Sequence, residues 1–389
     1  MRLTLDDERS VFRDEVDDWL ERNVPGESLP PIYTREGLDA HREWERRLNQ
    51  AGYAALHWPR EYGGGGADLV TQAIFQEEYQ RAAAPQRLNR LGLGLIGPTL
   101  IEFGTEEQKN RWLPGILTCD ELWCQGFSEP DAGSDLAGIR TRAVLDGDDL
   151  VINGQKIWTS LAIFADWMFA LVRTGEPGGR HRGLTFVLIP MTTPGIDVRP
   201  IRQLHGEEGF AEVFFTDVRV PTKHVVGEIG DGWRVAMATL GFERGTGLGD
   251  HVRFTRDVEE LVQIAFRAGR GDDPVVRDAV AARFVEAQVY QRYMQNVVTR
   301  LSAGEELGSD SSLVKLYWSE MEARIFETAI DILGPWAELD DGPLALVGNR
   351  FHRRYWHARA SRIFAGTSEI QKNIISERLL GLPKERRWS

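Results

Sequence analysis

The sequence predicts a mainly α-helical protein with a β-domain between two helical regions, because the spacing of apolar residues changes twice along the chain. Helical spacing is followed by short β-rich runs between about 120 and 226, and it returns from Trp233 onward. A chain of 389 residues is long enough for two or three domains. We expect an N-terminal α-helical domain at 1–118, a middle β-domain at 119–227 and a C-terminal helical domain at 228–389.

Helices are predicted throughout the N-terminal domain. In the first, Phe12, Val16, Trp19 and Leu20 recur at helical spacing and form one apolar stripe. A second begins near Gly37 and ends before the breakers in "GYAALHWPREYGGGG". The third and fourth contain "VTQAIFQEEYQRAAA" and "TEEQKNRWLPGILTC".

Runs rich in β-branched and aromatic residues predict the strands of the middle domain. They are "RAVLDGDDLVING", "WMFALVRT", "GLTFVLIP" and "EVFFTDVRVP". The pairs Asp146-Gly147 and Asn153-Gly154 are typical of hairpin turns, so each pair is predicted to join two strands.

Long helices are predicted in the C-terminal domain, in "DPVVRDAVAARFVEAQVYQRYMQNVVTRL" and "SSLVKLYWSEMEARIFETAIDILG". The last helical region begins near Arg350, and "RIFAGTSEIQ" predicts a break in it at Gly366-Thr367. Ser368 with Gln371 fits a capping box that opens the final helix.

The composition excludes several classes of protein. A formal net charge of −13 argues against nonspecific binding to nucleic acid or to an anionic membrane. The acidic N-terminus lacks the layout of a secretory signal, and no window approaches 18 uninterrupted apolar residues, so we expect no membrane span. Cys119 and Cys124 are too few for a disulfide framework, and a cytoplasmic protein with reduced thiols is expected.

Two other patterns do not predict ligand sites. "GLGLIG" at 92–97 matches the dinucleotide fingerprint, but the fingerprint needs a strand before it and this region is helical. Close helix packing through small residues is the better interpretation. No metal site is expected, because His352 and His357 fall on different faces of a helix and the cysteines lack a second ligand pair.

The stretches "WCQGFSEPDAGSDLAG" at 123–138 and "NGQKIWTS" at 153–160 combine hydroxyls, exposed backbone and aromatic rings. Such residues can place hydrogen-bond donors around a flat heterocycle. The alternative for the first stretch is a plain turn, and for the second a core Trp158 with satisfied hydroxyls.

Together these stretches resemble the acyl-CoA dehydrogenase family, and the resemblance covers nearly the whole chain. "LTLDDERSVFRDEVDDWL", "FGTEEQKNRWLP", "SSLVKLYWSEMEARIFETAIDILG" and "FAGTSEIQ" also match family segments, in the family's order. The resemblance implies an N-terminal helical domain, a middle β-barrel-like domain and a C-terminal four-helix bundle. It also implies FAD as the cofactor, lying between domains and against a neighbouring subunit.

The resemblance also implies which residues contact the cofactor and the substrate. Gln125, Phe127 and Ser128 would line the isoalloxazine, Gly133 and Ser134 would reach the pyrophosphate or the substrate, and Trp158, Thr159 and Ser160 would face the flavin's other side. Thr367 and Glu369 would lie near the adenosine half, and Ser134, Arg244 and Gly366 on the substrate side.

The family's reaction removes a proton from Cα of an acyl thioester while hydride passes from Cβ to flavin N5, which requires a carboxylate base. Many relatives carry that glutamate immediately before the Gly-Thr turn, where this chain has Ala365. The backbone N–H of Ala365 is still expected to polarise the thioester oxygen. Glu243, with Arg244 beside it, matches the base position of isovaleryl-CoA dehydrogenases, and a solvated Glu-Arg pair is the alternative.

The resemblance leaves the assembly open. Homomeric members carry an arginine pattern that this chain lacks at Arg267 and Arg270, where Asp272 and Asp273 follow. An α2β2 heterotetramer with a second acyl-CoA dehydrogenase-like subunit and a homo-oligomer are both considered. The arginine-rich stretch 350–362 either lies near ligand phosphates or is a solvated helix face.

The resemblance thus implies α,β-dehydrogenation of an acyl-CoA to the trans-2-enoyl-CoA, as in the β-oxidation of fatty acids or steroid side chains. An electron-transfer flavoprotein would reoxidise the flavin. The alternatives are a flavin-dependent monooxygenase or oxidase on the same fold, and a non-catalytic partner subunit.

Overall fold

The structure, a computed structural model, describes residues 7–176, 178–242, 247–305, 308–339, 342, 345–346 and 350–384. Within these ranges the helices are α1 Asp7–Asn23, α2 Arg35–Gln50, α3 Leu69–Arg81, α4 Gly97–Phe103, α5 Glu106–Leu117, α6 Gly232–Phe242, α7 Asp250–Arg267, α8 Pro274–Ser302, α9 Asp310–Leu333, α10 Arg350–Ser361 and α11 Ser368–Ile374. The strands are β1 Trp123–Gly126, β2 Arg142–Asp146, β3 Asp149–Ser160, β4 Trp167–Arg173, β5 Leu184–Pro190, β6 Ile196–Ile201 and β7 Phe210–Pro221. These elements form two compact units, one drawn from residues 1–24, 68–84 and 247–389, the other from 25–67 and 85–246.

The first unit is helical and contains α1, α3 and α7–α11. The helices α7, α8, α9 and α10 pack around a shared core, to which they contribute Phe254, Tyr290, Phe326 and Phe351 respectively. These long amphipathic helices confirm the predicted C-terminal bundle. Within the described ranges, no helix has the length and apolar content that a bilayer span requires.

The second unit contains a seven-stranded sheet in the order β1-β4-β2-β3-β7-β6, with β5 also paired to β4. The helices α2, α4, α5 and α6 belong to the same unit. The four predicted β-rich runs form β2 through β5 and β7, and the turn at Asp146-Gly147 joins β2 to β3 as predicted. The β-domain between helical regions is thus confirmed.

The hairpin predicted at Asn153-Gly154 is wrong, because these residues lie inside β3. Gly154 pairs with Phe215 of β7, and the register shifts between Ile152 and Gly154, as in a β-bulge. A Cβ on Gly154 would lie 2.6 Å from Thr141 Oγ1, so the glycine allows the close approach of a neighbouring segment. The pair therefore marks an irregularity within a strand.

The glycines of "GLGLIG" serve helix packing, as the sequence indicated. They form a π-helical turn at Gly92–Ile96 that leads into α4. A Cβ on Gly97 would lie 1.9 Å from Cζ2 of the Trp58 ring. The close packing requires a residue without a side chain at this position.

The predicted helix break at Gly366-Thr367 is confirmed, since α10 ends at Ser361 and α11 begins at Ser368. The predicted capping box is wrong. Thr367 is the N-cap, and its Oγ1 accepts a hydrogen bond from the amide of Ile370 at 3.2 Å. Ser368 Oγ instead donates to Glu320 Oε1 at 2.7 Å, which ties the start of α11 to α9.

Candidate active site

The two polar stretches singled out in the sequence lie side by side in the sheet unit. The amide of Ile157 in β3 donates to the carbonyl oxygen of Ser128 at 3.0 Å, just beyond the end of β1. The Lys156 Nζ donates to the carbonyl oxygen of Phe127 at 3.1 Å. Gln125, Phe127 and Ser128 are therefore held next to the strand that carries Trp158, Thr159 and Ser160.

A buried ion pair lies beneath this junction. Lys156 is completely buried, and its Nζ is 2.8 Å from Glu129 Oε1. The Glu129 carboxylate also accepts hydrogen bonds from the amides of Arg140 at 2.6 Å and Thr141 at 2.9 Å. Burial opposes ionisation of Glu129, but the charge of Lys156 and these donors outweigh it, and the pKa of the carboxyl lies below its ordinary value.

A second buried cation, Arg173, fixes the end of the same stretch. Its guanidinium donates to the carbonyl oxygens of Ala137 and Ile139, both at 2.9 Å, and to that of Arg180 at 3.0 Å. Carbonyl oxygens that would otherwise be unpaired in a loop are thereby satisfied. The stretch 127–141 is thus pinned from the interior by two cations.

Trp158 is not a core residue, so the alternative interpretation of this indole is wrong. It is 57% exposed, with a φ of +59° that is unusual for a residue with a side chain. Its ring meets Phe210 edge to face at a centroid distance of 6.1 Å. An exposed aromatic ring on a strained backbone is a feature of binding sites more than of cores.

The hydroxyls beside Trp158 differ in burial. Ser160 is half-buried, whereas Thr159 is fully buried, and its Oγ1 has no hydrogen-bond partner within the described part of the chain. Ser160 pairs with Phe210 of β7, whose ring meets Trp158, whereas Thr159 pairs with Ala211 on the buried face. A ligand on the indole side would therefore meet Ser160 more directly than the Thr159 hydroxyl.

In the stretch 127–141, the side chain of Phe127 packs into the core. It is buried against Phe169 and Phe186, with ring centroids 5.8 and 6.0 Å away. Phe127 can therefore meet a ligand through its backbone only. Ser128 is half-buried, and Gly133 and Ser134 are exposed.

The turn predicted to polarise a thioester lies in the helical unit, between α10 and α11. Ala365 is exposed and has a φ of +52°, and Gly366 follows with a φ of +87°. Gln371 Nε2 donates to the carbonyl oxygens of Ala365 at 3.0 Å and Gly366 at 3.3 Å. No acceptor for the amide of Ala365 lies among the residues that the structure describes. This amide can bind an oxygen atom of a ligand.

Thr367 and Glu369 occupy the start of α11. The carboxylate of Glu369 is exposed, and hydrogen bonds from its own amide and from Thr367 lower its pKa. Glu243 and Arg244, the predicted base and its neighbour, lie outside the described residues. The helix α6 leads up to them and ends at Phe242.

Of the two arginines considered for the flavin phosphates, Arg270 is engaged within the helical unit. Arg270 pairs with Asp273 at 2.9 Å and donates to the carbonyl oxygen of Asp331 at 2.7 Å, while Arg267 is exposed. Along α10, ion pairs join arginines to carboxylates of α7 and α9: Arg350 to Glu260, Arg354 to Asp257 and Arg359 to Glu327. The segment 350–362 is therefore more than a solvated face.

The donor set of the sheet unit fits a flavin. The isoalloxazine is flat, with a polar edge and an apolar face, and the chain offers an exposed indole beside the hydroxyls of Ser128 and Ser160. No group of three His, Cys, Asp or Glu side chains suited to a metal ion is found among the described residues.

Sequence reasoning missed the residues that hold the stretch 127–141, which are Glu129, Lys156 and Arg173, and it gave Gln371 a capping role where the structure shows bonds to the Ala365 turn. A signal existed for Lys156, because it falls in the same alternation as Leu150 and Ile152, which are buried. A lysine in the inward phase of a strand indicates a buried partner.

Comparison with known proteins identifies the family. Models of the acyl-CoA dehydrogenase N-terminal, middle and C-terminal domains match residues 6–120, 124–218 and 230–380. The acyl-CoA dehydrogenase IpdE1 of Mycobacterium tuberculosis is 43% identical over 382 residues, which cover 96% of this chain and 98% of that protein.

Solved structures agree. A protein described as the Tcur3481-Tcur3483 steroid ACAD superposes with a TM-score of 0.87 at 30% identity, covering 99% of this chain and 100% of its own. The ChsE4-ChsE5 complex from Mycobacterium tuberculosis gives a TM-score of 0.82 at 30% identity, with the same coverage. The chain therefore belongs to the acyl-CoA dehydrogenase family of oxidoreductases, whose members use FAD.

Proposed function

We propose that this chain catalyses the α,β-dehydrogenation of an acyl-CoA thioester to the trans-2-enoyl-CoA. The observation that carries the proposal is the exposed Trp158 on a positive-φ backbone, directly beside the pinned stretch that bears Ser128. Neither folding nor packing accounts for an indole in this position, whereas a flat cofactor does.

Several residues are proposed to hold the flavin. Trp158 and Ser160 lie along its ring on one side, and Gln125, Phe127 and Ser128 offer backbone and side-chain donors to its polar edge. Gly133 and Ser134 reach the pyrophosphate or the substrate, Thr159 joins Trp158 and Ser160 through its backbone, and Thr367 and Glu369 belong to the adenosine part. When bound, FAD supplies the acceptor for the hydride that leaves Cβ of the substrate.

The remaining chemistry belongs to the chain itself. Glu243 is proposed to take the proton from Cα, since Ala365 has no side chain able to do so. The unpaired amide of Ala365 binds the thioester oxygen and stabilises the negative charge that develops there. Ser134, Arg244 and Gly366 are assigned to substrate binding.

A steroid-type thioester is the proposed substrate class, and a second acyl-CoA dehydrogenase-like subunit is the proposed partner in an α2β2 assembly. Support comes from the relatives described as a steroid ACAD and as a two-component complex. Arg270 is also committed to Asp273 and to the end of α9, so it is not free to bind the flavin phosphates, and a cation from another chain is proposed in its place. An electron-transfer flavoprotein is the proposed electron acceptor.

The test uses flavin-free protein, prepared with and without a candidate partner subunit of the acyl-CoA dehydrogenase type. FAD is added, and short, branched, long and steroid-type CoA esters are supplied without oxygen. We expect the visible flavin absorbance to fall with at least one ester and the product to be two hydrogens lighter by mass spectrometry. Failure of every ester to bleach the flavin would refute the proposal, and rapid reaction of the reduced protein with oxygen would favour an oxidase.

A further inference from the structure

Lys156 is charged, yet it is completely enclosed. Burying an ammonium group costs free energy unless hydrogen bonds and an opposite charge compensate it. Here Nζ donates to two partners, Glu129 Oε1 at 2.8 Å and the carbonyl oxygen of Phe127 at 3.1 Å. A methionine would fill the same space without this cost, so the contact with the Phe127 carbonyl indicates a role beyond packing.

The bond to that carbonyl sets the orientation of one peptide group. The peptide between Phe127 and Ser128 is trans, so its C=O and N–H point in opposite directions. Because Lys156 draws the carbonyl oxygen toward the interior, the amide of Ser128 is directed away from the interior. Among the described residues this amide has no acceptor, whereas the Ser128 carbonyl oxygen accepts from Ile157.

Glu129 and the Phe127 side chain also fix the peptide between Phe127 and Ser128. Glu129 holds Lys156 by charge and is itself held by the amides of Arg140 and Thr141. The side chain of Phe127 locks the preceding residue into the core. The peptide is therefore fixed on both sides before any ligand arrives, which is what preorganised recognition requires.

We propose that Lys156 and Glu129 are positioning residues that present the Ser128 amide to the polar edge of the flavin. This inference rests on the proposed function, because it assumes that the stretch binds FAD. Lys156 contacts the presented peptide directly and Glu129 acts through Lys156, so the two variants are expected to differ.

The chain offers a matched control in the same unit. Glu45 is also completely buried, and it accepts hydrogen bonds from Arg87 Nε at 2.9 Å and from the amide of Leu88 at 2.7 Å. It lies on α2, and its partners are outside the stretch 127–141. Glu45→Gln should therefore destabilise the protein without acting on the presented amide.

The experiment measures FAD affinity by quenching of flavin fluorescence, the visible absorption spectrum of bound flavin, and the melting temperature of the flavin-free protein. Lys156→Met is expected to raise the Kd for FAD about tenfold or more and to shift the flavin spectrum. Glu129→Gln, which keeps the bond from Lys156 to the Phe127 carbonyl, should raise the Kd less. Glu45→Gln should lower the melting temperature with a Kd within about twofold of the parent's.

A parent-like Kd and spectrum in folded Lys156→Met would overturn the inference while leaving the proposed function intact, and so would a Glu45→Gln Kd that rises as much. If the parent binds no FAD either with or without the partner subunit, the proposed function fails first. Should Lys156→Met not fold, Lys156→Gln replaces it, because its side chain keeps hydrogen-bond donors but is shorter and uncharged, and its Kd is expected to exceed that of Glu129→Gln. An unchanged Kd in Lys156→Gln and Glu129→Gln together would also reject the inference.

Discussion

Gln371 Nε2 lies 3.0 Å from the carbonyl oxygen of Ala365, so the first turn of α11 reaches back and holds the loop that precedes it. The same amide contacts Gly366, and a Cβ on that glycine would lie 2.5 Å from Gln371 Nε2. Gln371 thus supports the left-handed backbone at Ala365, and the φ of +87° at Gly366 favours a glycine beside it.

Replacing this donor should impair catalysis. Gln371→Glu places a carboxylate against carbonyl oxygens, and we expect kcat/KM to fall about tenfold, mainly through kcat, because the Ala365 amide loses its fixed direction. Steady-state kinetics with the best ester would measure it. Asn373→Asp makes the same chemical change at an exposed position of α11 and should leave kcat near the parent's. Equal losses in the two variants would contradict the assignment.

The role of Glu243 as the base can be tested by removing its carboxylate and by introducing a carboxylate at position 365. Glu243→Gln should lower kcat by about 10²–10⁴-fold with flavin binding retained, since proton abstraction loses its acceptor. Adding Ala365→Glu to that variant should restore part of the rate, because many relatives carry their base at this position. Stopped-flow bleaching of the flavin reports both changes. Full activity in Glu243→Gln would assign the base elsewhere.

Trp158 should matter for binding and little for stability. Trp158→Gly removes the strain of a positive φ but frees the unfolded chain, and we expect the free energy of unfolding to change by less than about 1 kcal/mol. The Kd for FAD should rise about two- to tenfold with the loss of the aromatic face. Trp123, which is buried and stacks on Trp167, is the contrasting position, where Trp123→Ala should cost about 3–5 kcal/mol. A large loss of stability in Trp158→Gly would show that Trp158 stabilises the fold and would contradict its role in binding.

Acid stability should depend on Glu322 of α9, which pairs with Arg253 at 2.7 Å and accepts from Ser361 Oγ at 2.5 Å. Burial favours its neutral form, but Arg253 and Ser361 outweigh burial and lower the pKa. The ionised group therefore stabilises the fold above the ordinary carboxyl pKa, and this contribution is lost as the pH falls through the lowered value. Melting temperatures from pH 7 to pH 3 should fall more steeply for the parent than for Glu322→Gln. Parallel curves would exclude this carboxylate as a source of the pH dependence.

The sequence predicted the elements whose residues repeat regularly and missed those set by tertiary contacts. The stripe of Phe12 and Val16 and the long helices near Phe326 were predicted from spacing alone. Strand β1 was missed because it has only four residues. Strand β6 was missed because Pro200 and the charged side chains of the strand interrupt its run of apolar residues. Asn153-Gly154 has the composition of a turn, but pairing with β7 continues the strand through it. The domain division at 1–118, 119–227 and 228–389 stays a prediction.

The residues of 123–138 and 153–160 indicated a flat ligand as one of two interpretations, and the family resemblance then named the individual residues expected to face it. The residues that hold them could not be found in this way. Lys156 and Glu129 are separated by 27 positions, and nothing local shows that they meet. Ser368 fits a cap by sequence, but the Ile370 amide donates to Thr367 Oγ1, so the N-cap lies one residue earlier than predicted.

The ion pairs along α10 bear on how this acidic protein can receive a charged substrate. Arg350, Arg354 and Arg359 already neutralise carboxylates of α7 and α9, so a phosphate approaching this helix would have to compete with Glu260, Asp257 and Glu327 for the same guanidinium groups. Since one of these pairs is buried at its acidic end, releasing its arginine would leave an uncompensated charge inside the bundle. The most basic segment of the chain thus stabilises the helical bundle through ion pairs. The positive charge that attracts a nucleotide-bearing substrate must then lie on another surface.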